Sequence, residues 1–179
     1  MKILVVVDMQ NDFITGSLGT PEAQAIVPNV KKKIEESVKN GDLIIYTRDT
    51  HLEDYLETKE GKKLPVEHCV YKTEGWKIQS DLLTPAKYEN AYIIDKFTFA
   101  SQELPALIAN RNLALSCNEI ELVGLCTDIC VVSNALLLKA AFYQTMEISV
   151  DATCCAGVTP ESHEAALKTM EMCQINVKR

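Results

Sequence analysis

The chain has 179 residues, 47% hydrophobic and 24% charged, with a net charge of −7, enough to bury a substantial core in one compact domain spanning residues 1–179. The acidic balance excludes nucleic acid as a main partner, because phosphate binding needs a clustered basic surface. No apolar run approaches the ~20 residues of a membrane span, so no membrane partner is expected.

The first apolar run, residues 2–7, ends at Asp8. It is too short for a signal peptide and lacks a small-residue cleavage site, so it reads as a buried parallel strand. A helical pattern over 25–40 closes on Asn40-Gly41, a C-cap signal. Its basic run, Lys31-Lys32-Lys33, has Glu35 and Glu36 close behind and reads as a solvated helix face. A second strand is predicted at 43–47. The segment 51–87 breaks the regularity. It is polar, carries Gly61, Pro65 and Gly75, and is longer than a connection requires, as excursions that build sites often are. Strands at 92–94, 120–123, 147–150 and 175–177 then alternate with helices at 101–110, 128–143 and 160–172. Thr159-Pro160-Glu161 marks the last helix start, with Pro at its first position. This alternation predicts an α/β fold of three layers, α/β/α, with a doubly wound, Rossmann-like sheet of six parallel strands.

The seven cysteines show no disulfide-framework spacing, and the expectation is reduced thiols in a cytoplasmic protein. Cys126 and Cys130 have no second pair at metal-finger spacing, which argues against a structural zinc. Cys117, Cys154, Cys155 and Cys173 read as small core or loop residues.

Polar residues fall where the predicted strands end: Asp8 after the first, Asp49 and His51 after the second, Asp95-Lys96 after the third, Cys130 after the fourth, Asp151 after the fifth. In a parallel sheet these groups gather along one edge, where open α/β sheets bind ligands. Cys130 stands in the first turn of a helix, with Thr127 as its expected N-cap. The free N–H groups and helix dipole there are expected to lower the thiol pKa. Asp8 is placed to take the thiol proton and return it to a leaving amine, and Lys96 to pair with Asp8 and favour a thiolate. The N–H groups of Cys126 and Cys130 suit an oxyanion hole. A buried structural Asp–Lys pair beside an inert cysteine fits the same spacing. No glycine-rich phosphate loop follows the first strand, so no nucleotide cofactor is expected.

Three segments in order, Asp8-Met9-Gln10-Asn11-Asp12-Phe13, Asp95-Lys96-Phe97-Thr98-Phe99 and Gly124-Leu125-Cys126-Thr127-Asp128-Ile129-Cys130-Val131, resemble the signature segments of the isochorismatase-like cysteine hydrolases. The resemblance covers essentially the whole chain. It implies a six-stranded parallel sheet, a Cys130–Asp8–Lys96 catalytic triad, and a non-proline cis peptide between Leu125 and Cys126 that aims the Cys126 N–H into the oxyanion hole. A cysteine at 130 separates the chain from isochorismatase proper, where that position is not the nucleophile.

Within the superfamily, Asp49-Thr50-His51 and Leu64-Pro65-Val66-Glu67-His68-Cys69 resemble nicotinamidase segments that hold a metal. The resemblance implies a divalent ion (zinc, iron or manganese) on Asp49, His51 and His68, a donor set that suits such ions. The family's further histidine is absent, which leaves Asp54, Tyr55, Glu57 or water for the fourth position. Leu64 stands where the family carries a stacking tryptophan. Leu64 and Phe13 are the expected substrate-wall residues, Phe13 reading equally as core packing. Trp76 is expected over the pocket or at a subunit contact, His163 at the surface, and Asp151 as a structural cap at the pocket floor. The reading is a cysteine amidohydrolase acting on a small-molecule amide, nicotinamide foremost, in a homo-oligomer. Another small amide, carbamoyl or ureido substrate without metal fits too, as does, from a different class, a thiol-based redox or ligand-binding module.

Overall fold

The structure, a computed structural model, describes residues 1–85 and 87–179, and at Ala114 the backbone alone. Its centre is a sheet of six parallel strands, β1 (Ile3–Val7), β2 (Leu43–Asp49), β3 (Ala91–Lys96), β4 (Glu119–Leu125), β5 (Glu147–Ala156) and β6 (Asn176–Lys178), in the order β3-β2-β1-β4-β5-β6. The chain starts in the middle of the sheet, winds outward to β3, then returns to lay β4 against the free side of β1. That reversal leaves a crevice outside the carboxyl ends of β1 and β4, the usual ligand position in such sheets.

Successive β1 side chains point to opposite faces and all are buried, so the strand carries no polar alternation. Leu4 and Val6 pack with Ile14 of the short helix α1 (Asn11–Ile14) and with Ile26, Val30 and Ile34 of α2 (Pro21–Asn40). Ile3, Val5 and Val7 join Leu104 and Ile108 of α3 (Leu104–Leu115), Ala135 and Leu138 of α4 (Val132–Phe142), and Leu167 and Met170 of α5 (Pro160–Met172). The expected three layers follow. Each of the buried aliphatic side chains of α2 contributes about 1.5–3 kcal/mol relative to exposure.

Helix α2 begins four residues before the apolar period suggests, because Thr20 caps it by accepting from the Ala23 N–H (3.0 Å) and Pro21 fits the first turn. It stops at Gly41, whose φ of +73° makes the left-handed cap that glycine adopts freely. Among the described residues, no helix is long and apolar enough to cross a membrane.

Two expectations fail on the far side of the sheet. Strand β5 runs six residues past 150, with a register shift against β4 between Leu122 and Gly124. Asp151 is therefore a mid-strand residue, outside the pocket. It pairs with Lys33 (2.6 Å) and accepts from Thr153. Lys33 in turn is no solvated face residue, since it also meets Glu121 (3.4 Å). Glu121, fully buried in β4, is surrounded by the ammonium groups of Lys2, Lys33 and Lys178.

Burial pushes the Glu121 carboxyl up, but the bonds from Lys178 and Lys2 and the charge of Lys33 outweigh it, and the net shift is downward. A carboxyl lowered by folding stabilises the fold above its unfolded pKa, about 4.3 for Glu, and loses that contribution as pH falls through the lower folded value. Glu121→Gln is expected to cost roughly 2 kcal/mol at pH 7, less than a wholly dry pair because the lysines remain partly wet. It should also flatten the decline in stability below pH 5. Urea unfolding from pH 3 to 7 checks both, and parallel pH curves would remove the ion cluster from the account.

Candidate active site

Asp8 leaves β1 at φ +48°. Its N–H donates to the Thr47 carbonyl (3.2 Å), and its Oδ1 accepts from the Thr47 hydroxyl (2.7 Å). Lys96, the last residue of β3, reaches across β2 to this carboxylate. Its Nζ lies 2.7 Å from Asp8 Oδ2, 3.0 Å from Asp49 Oδ1 and 3.5 Å from Cys130 Sγ. All four residues are buried. An ammonium this dry persists because two carboxylates surround it, and they hold the Lys96 pKa above its ordinary value despite burial.

The expected lowering of the Cys130 thiol is reversed. Burial pushes it up, the Asp8 carboxylate adds to that, and Lys96 only partly offsets them. Burial also raises the Asp8 carboxyl, against the opposing charge of Lys96. The resting cysteine is a thiol beside a carboxylate more basic than usual.

Cys130 reaches this cluster through a tight turn. Gly124 has φ +118°, and a Cβ there would lie 2.1 Å from the Val7 carbonyl oxygen, so only glycine lets β4 run this close to β1. The Leu125–Cys126 peptide is cis. A single π-turn, Thr127–Val131, follows, and the Cys126 carbonyl accepts from the N–H groups of Ile129 (3.1 Å) and Val131 (3.0 Å). Cys126 flanks the turn, so Thr127 is not its N-cap. The Thr127 hydroxyl instead meets His163 Nδ1 at 2.8 Å. Asn134 donates to the Cys130 carbonyl (2.8 Å) from α4.

A cavity of about 480 Å³ opens at the carboxyl ends of the strands, within the range of small-molecule sites. Cys126, Cys130, Asp49 and His68 reach it, and Phe13, Leu18, Leu64, Phe99, Ile129 and Val158 supply an apolar wall. Phe13 and Leu64 are both among these wall residues. Trp76 does not line the cavity. It is buried, donates from Nε1 to the Thr50 hydroxyl (2.9 Å) and carries the Arg48 guanidinium 3.7 Å over its ring.

Asp49, His51 and His68 converge as the metal reading requires, and a fourth donor joins them. Glu60, not among the residues considered for that position, completes a set whose ligand atoms lie within 4.8 Å of one another. His51 Nε2 is 3.0 Å from Asp49 Oδ2 and 3.8 Å from Glu60 Oε1, and His68 Nε2 is 3.6 Å from Asp49 Oδ2. The His68 Nδ1–H donates to the Val66 carbonyl (2.8 Å), which leaves Nε2 free as a ligand. Two imidazoles and two carboxylates fit a divalent ion such as zinc, iron or manganese. Asp54 and Glu57 are exposed. Tyr55 is buried and meets the His51 ring tilted and the His68 ring edge-on, but its hydroxyl donates to the Leu64 carbonyl.

Two side chains from the first signature segment, buried Gln10 and half-buried Asp12, hold this arrangement. Gln10 accepts from the Asp49 N–H (2.6 Å) and donates to the Asp49 and Trp76 carbonyls (both 2.8 Å). Asp12 accepts from the Cys69 N–H (2.8 Å), fixing the backbone beside His68. Sequence reasoning missed both roles, although their place in that segment was the available signal.

The Isochorismatase domain model matches residues 2–178. A Bacillus subtilis (strain 168) protein described as an uncharacterized isochorismatase family protein, PncA, is 31% identical over 93% of this chain and 92% of its own. Among solved structures, the pyrazinamidase of Pyrococcus horikoshii in complex with zinc superposes with a TM-score of 0.84 at 28% identity, covering 99% of this chain and 98% of that one. The nicotinamidase PncA from Bacillus subtilis does so with a TM-score of 0.82 at 26% identity, over the whole of both chains.

Chelator-treated protein is expected to take up one equivalent of Zn²⁺ or Mn²⁺ in isothermal titration. His51→Ala and His68→Ala should abolish that uptake, and Glu60→Gln should weaken it about tenfold or more. Undiminished binding in Glu60→Gln would remove Glu60 from the donor set.

Proposed function

Because the chain belongs to the isochorismatase family, we propose that it is a cysteine amidohydrolase cleaving the C–N bond of a small amide, nicotinamide foremost. Asp8, Lys96 and Cys130 are its catalytic residues in this reading. The observation that carries it is the buried contact of Lys96 with both the Asp8 carboxylate (2.7 Å) and the Cys130 sulfur (3.5 Å) at the cavity. An inert structural pair would need no thiol on its third side and no opening beside it.

Cys130 attacks the amide carbonyl carbon as Asp8 takes the thiol proton. The carbonyl oxygen gains negative charge, for which the N–H groups of Cys126 and Cys130 serve as the oxyanion hole. When the tetrahedral centre collapses, the C–N bond breaks and Asp8 returns the proton to the leaving nitrogen. Ammonia departs and a thioester to Cys130 remains. Water then attacks the thioester with Asp8 again as base, releasing the carboxylic acid and regenerating the thiol. Lys96 keeps the Asp8 carboxyl oriented and stabilises a thiolate as it forms. Phe13 offers a flat apolar wall to the acyl group.

Asp49, His51, Glu60 and His68 would hold a divalent ion at the cavity wall. Such an ion supplies a Lewis-acid contact for a ring nitrogen of the substrate, which favours a heteroaryl amide. Leu64 favours the second reading, a carbamoyl or ureido substrate, because an aliphatic side chain gives a planar ring no stacking partner. A redox pair of Cys126 and Cys130 is the weakest reading. Burial raises both thiols, Cys126 to about 12, and disulfide exchange needs a thiolate.

Purified protein is expected to release ammonia from nicotinamide. Cys130→Ala should reduce this to background, and Asp8→Asn should lower kcat by about 10²–10⁴-fold. Hydrolysis of N-carbamoyl compounds with nicotinamide untouched would move the assignment to the second reading. Full activity in Cys130→Ala would end the triad.

A further inference from the structure

The π-turn carrying Cys126 and Cys130 is fastened to the connection between β5 and α5 at two points. Asp128 accepts from the Val158 N–H with both carboxylate oxygens (3.1 and 3.2 Å). Thr127, wholly buried, meets His163 Nδ1 at 2.8 Å. His163 is itself held from both sides. Its N–H donates to the Thr159 carbonyl, the N-cap of α5, and Gly157 packs against it so closely that an added Cβ would lie 2.9 Å from His163 Cβ. We propose that His163 is a positioning residue which, through the Thr127 hydroxyl, fixes the turn that presents Cys126 and Cys130 to the cavity.

A buried hydroxyl needs a partner, and His163 supplies the hydrogen bond that Thr127 makes in this structure. The ring's Nε2 faces Glu164 at 3.9 Å, on the partly exposed side. With its proton on Nε2 the neutral ring accepts from the Thr127 hydroxyl at Nδ1, and with the proton on Nδ1 it donates to that hydroxyl, so either tautomer closes the bond. The charged groups around the ring are Glu164 on its own helix, Asp128 on the turn and Arg179 near the C-terminus. Burial outweighs the two carboxylates, and the net shift is below the ordinary histidine value. The shift favours the neutral ring, and the geometry of the contact with Thr127 holds the turn. Thr127 directly follows Cys126 and stands three residues before Cys130, so a shift here displaces both proposed oxyanion donors and the sulfur. Misplacements of that kind lower kcat far more than they weaken substrate binding.

The inference rests on the turn being the nucleophile-bearing turn of an amidohydrolase, so its test has a readout that needs no amide substrate. Four variants are compared: His163→Leu and Thr127→Val, which break the bond, and His163→Asn and Thr127→Ser, which keep an acceptor and a donor. The breaking variants are expected to lower kcat about tenfold with KM within about twofold, and the double variant T127V/H163L should be no worse than either. The conservative variants should recover most of the rate. In parallel, alkylation of Cys130 by iodoacetamide, followed by peptide mass spectrometry, should slow in the breaking variants and recover in the conservative ones. If no amide is hydrolysed but alkylation follows this order, the proposed activity fails and the positioning role stands. Wild-type kcat and alkylation in His163→Leu, or fully additive losses in the double variant, would overturn it. Should His163→Leu not fold, Thr127→Val set against His163→Asn carries the comparison. Equal rates in those two would then overturn the proposal.

Discussion

A single buried ammonium ties four neighbouring strands, β3, β2, β1 and β4, to one site. Lys96 brings the end of β3 against Asp8 from β1, Asp49 from β2 and, through its contact with sulfur, Cys130 beyond β4. None of these charges is tolerable alone at such depth. Removing one partner from a buried pair costs about 3–5 kcal/mol, because the remaining charge is stranded. The cluster therefore constrains the sheet edge as much as it serves chemistry: a strand out of register by one residue would turn its charged side chain into an apolar layer. The parallel pairing of Asp49 with Lys96 at the end of the β2–β3 ladder fixes that register.

Asp49 joins the two halves of the cavity. One carboxylate oxygen accepts from Lys96 (3.0 Å), and the other faces His51 (3.0 Å) and His68 (3.6 Å). Burial pushes its carboxyl up, but the two imidazoles and Lys96 together hold it well below the usual range. An ionised Asp49 is thus shared between the metal donors and the cluster around the thiol. Its backbone is held on both sides by the Gln10 amide. In consequence, a change at the candidate metal donors would reach the Cys130 sulfur through two side chains in turn, Asp49 and Lys96.

Asp8, Asp49, Lys96 and Cys130 were legible because each stands at or just past the end of a predicted strand, and parallel strands place such positions on one edge. The six parallel strands followed from the same alternation; their order in the sheet did not. Glu60, Gln10 and His163 were not legible, since each meets its partner only through the tertiary fold: Glu60 the His51 ring, Gln10 the Trp76 carbonyl, His163 the Thr127 hydroxyl. No period or local signal carries such meetings. The Asp151 error is instructive in another way. A charge after an apolar run reads as a strand end, but Lys33 from α2 neutralises it and lets β5 continue to Ala156. Thr127 misled for a related reason. Threonine before a helix is a common cap, and here a tertiary partner on α5 takes its hydroxyl instead.

The raised thiol and the raised carboxyl belong together. A general base transfers protons best when its affinity for the proton approaches that of the group it serves. An ordinary carboxylate is several pKa units too weak to deprotonate an ordinary thiol. Burial raises both partners here, and Lys96 touches both, so it favours whichever of the two carries the negative charge. The proton can move between Asp8 and Cys130 without moving a net charge away from the ammonium. That removes the largest electrostatic obstacle to forming a thiolate in a dry cavity. In the proposed reaction it would also keep the sulfur protonated, and thus protected from adventitious oxidation, until a carbonyl is in place to receive it.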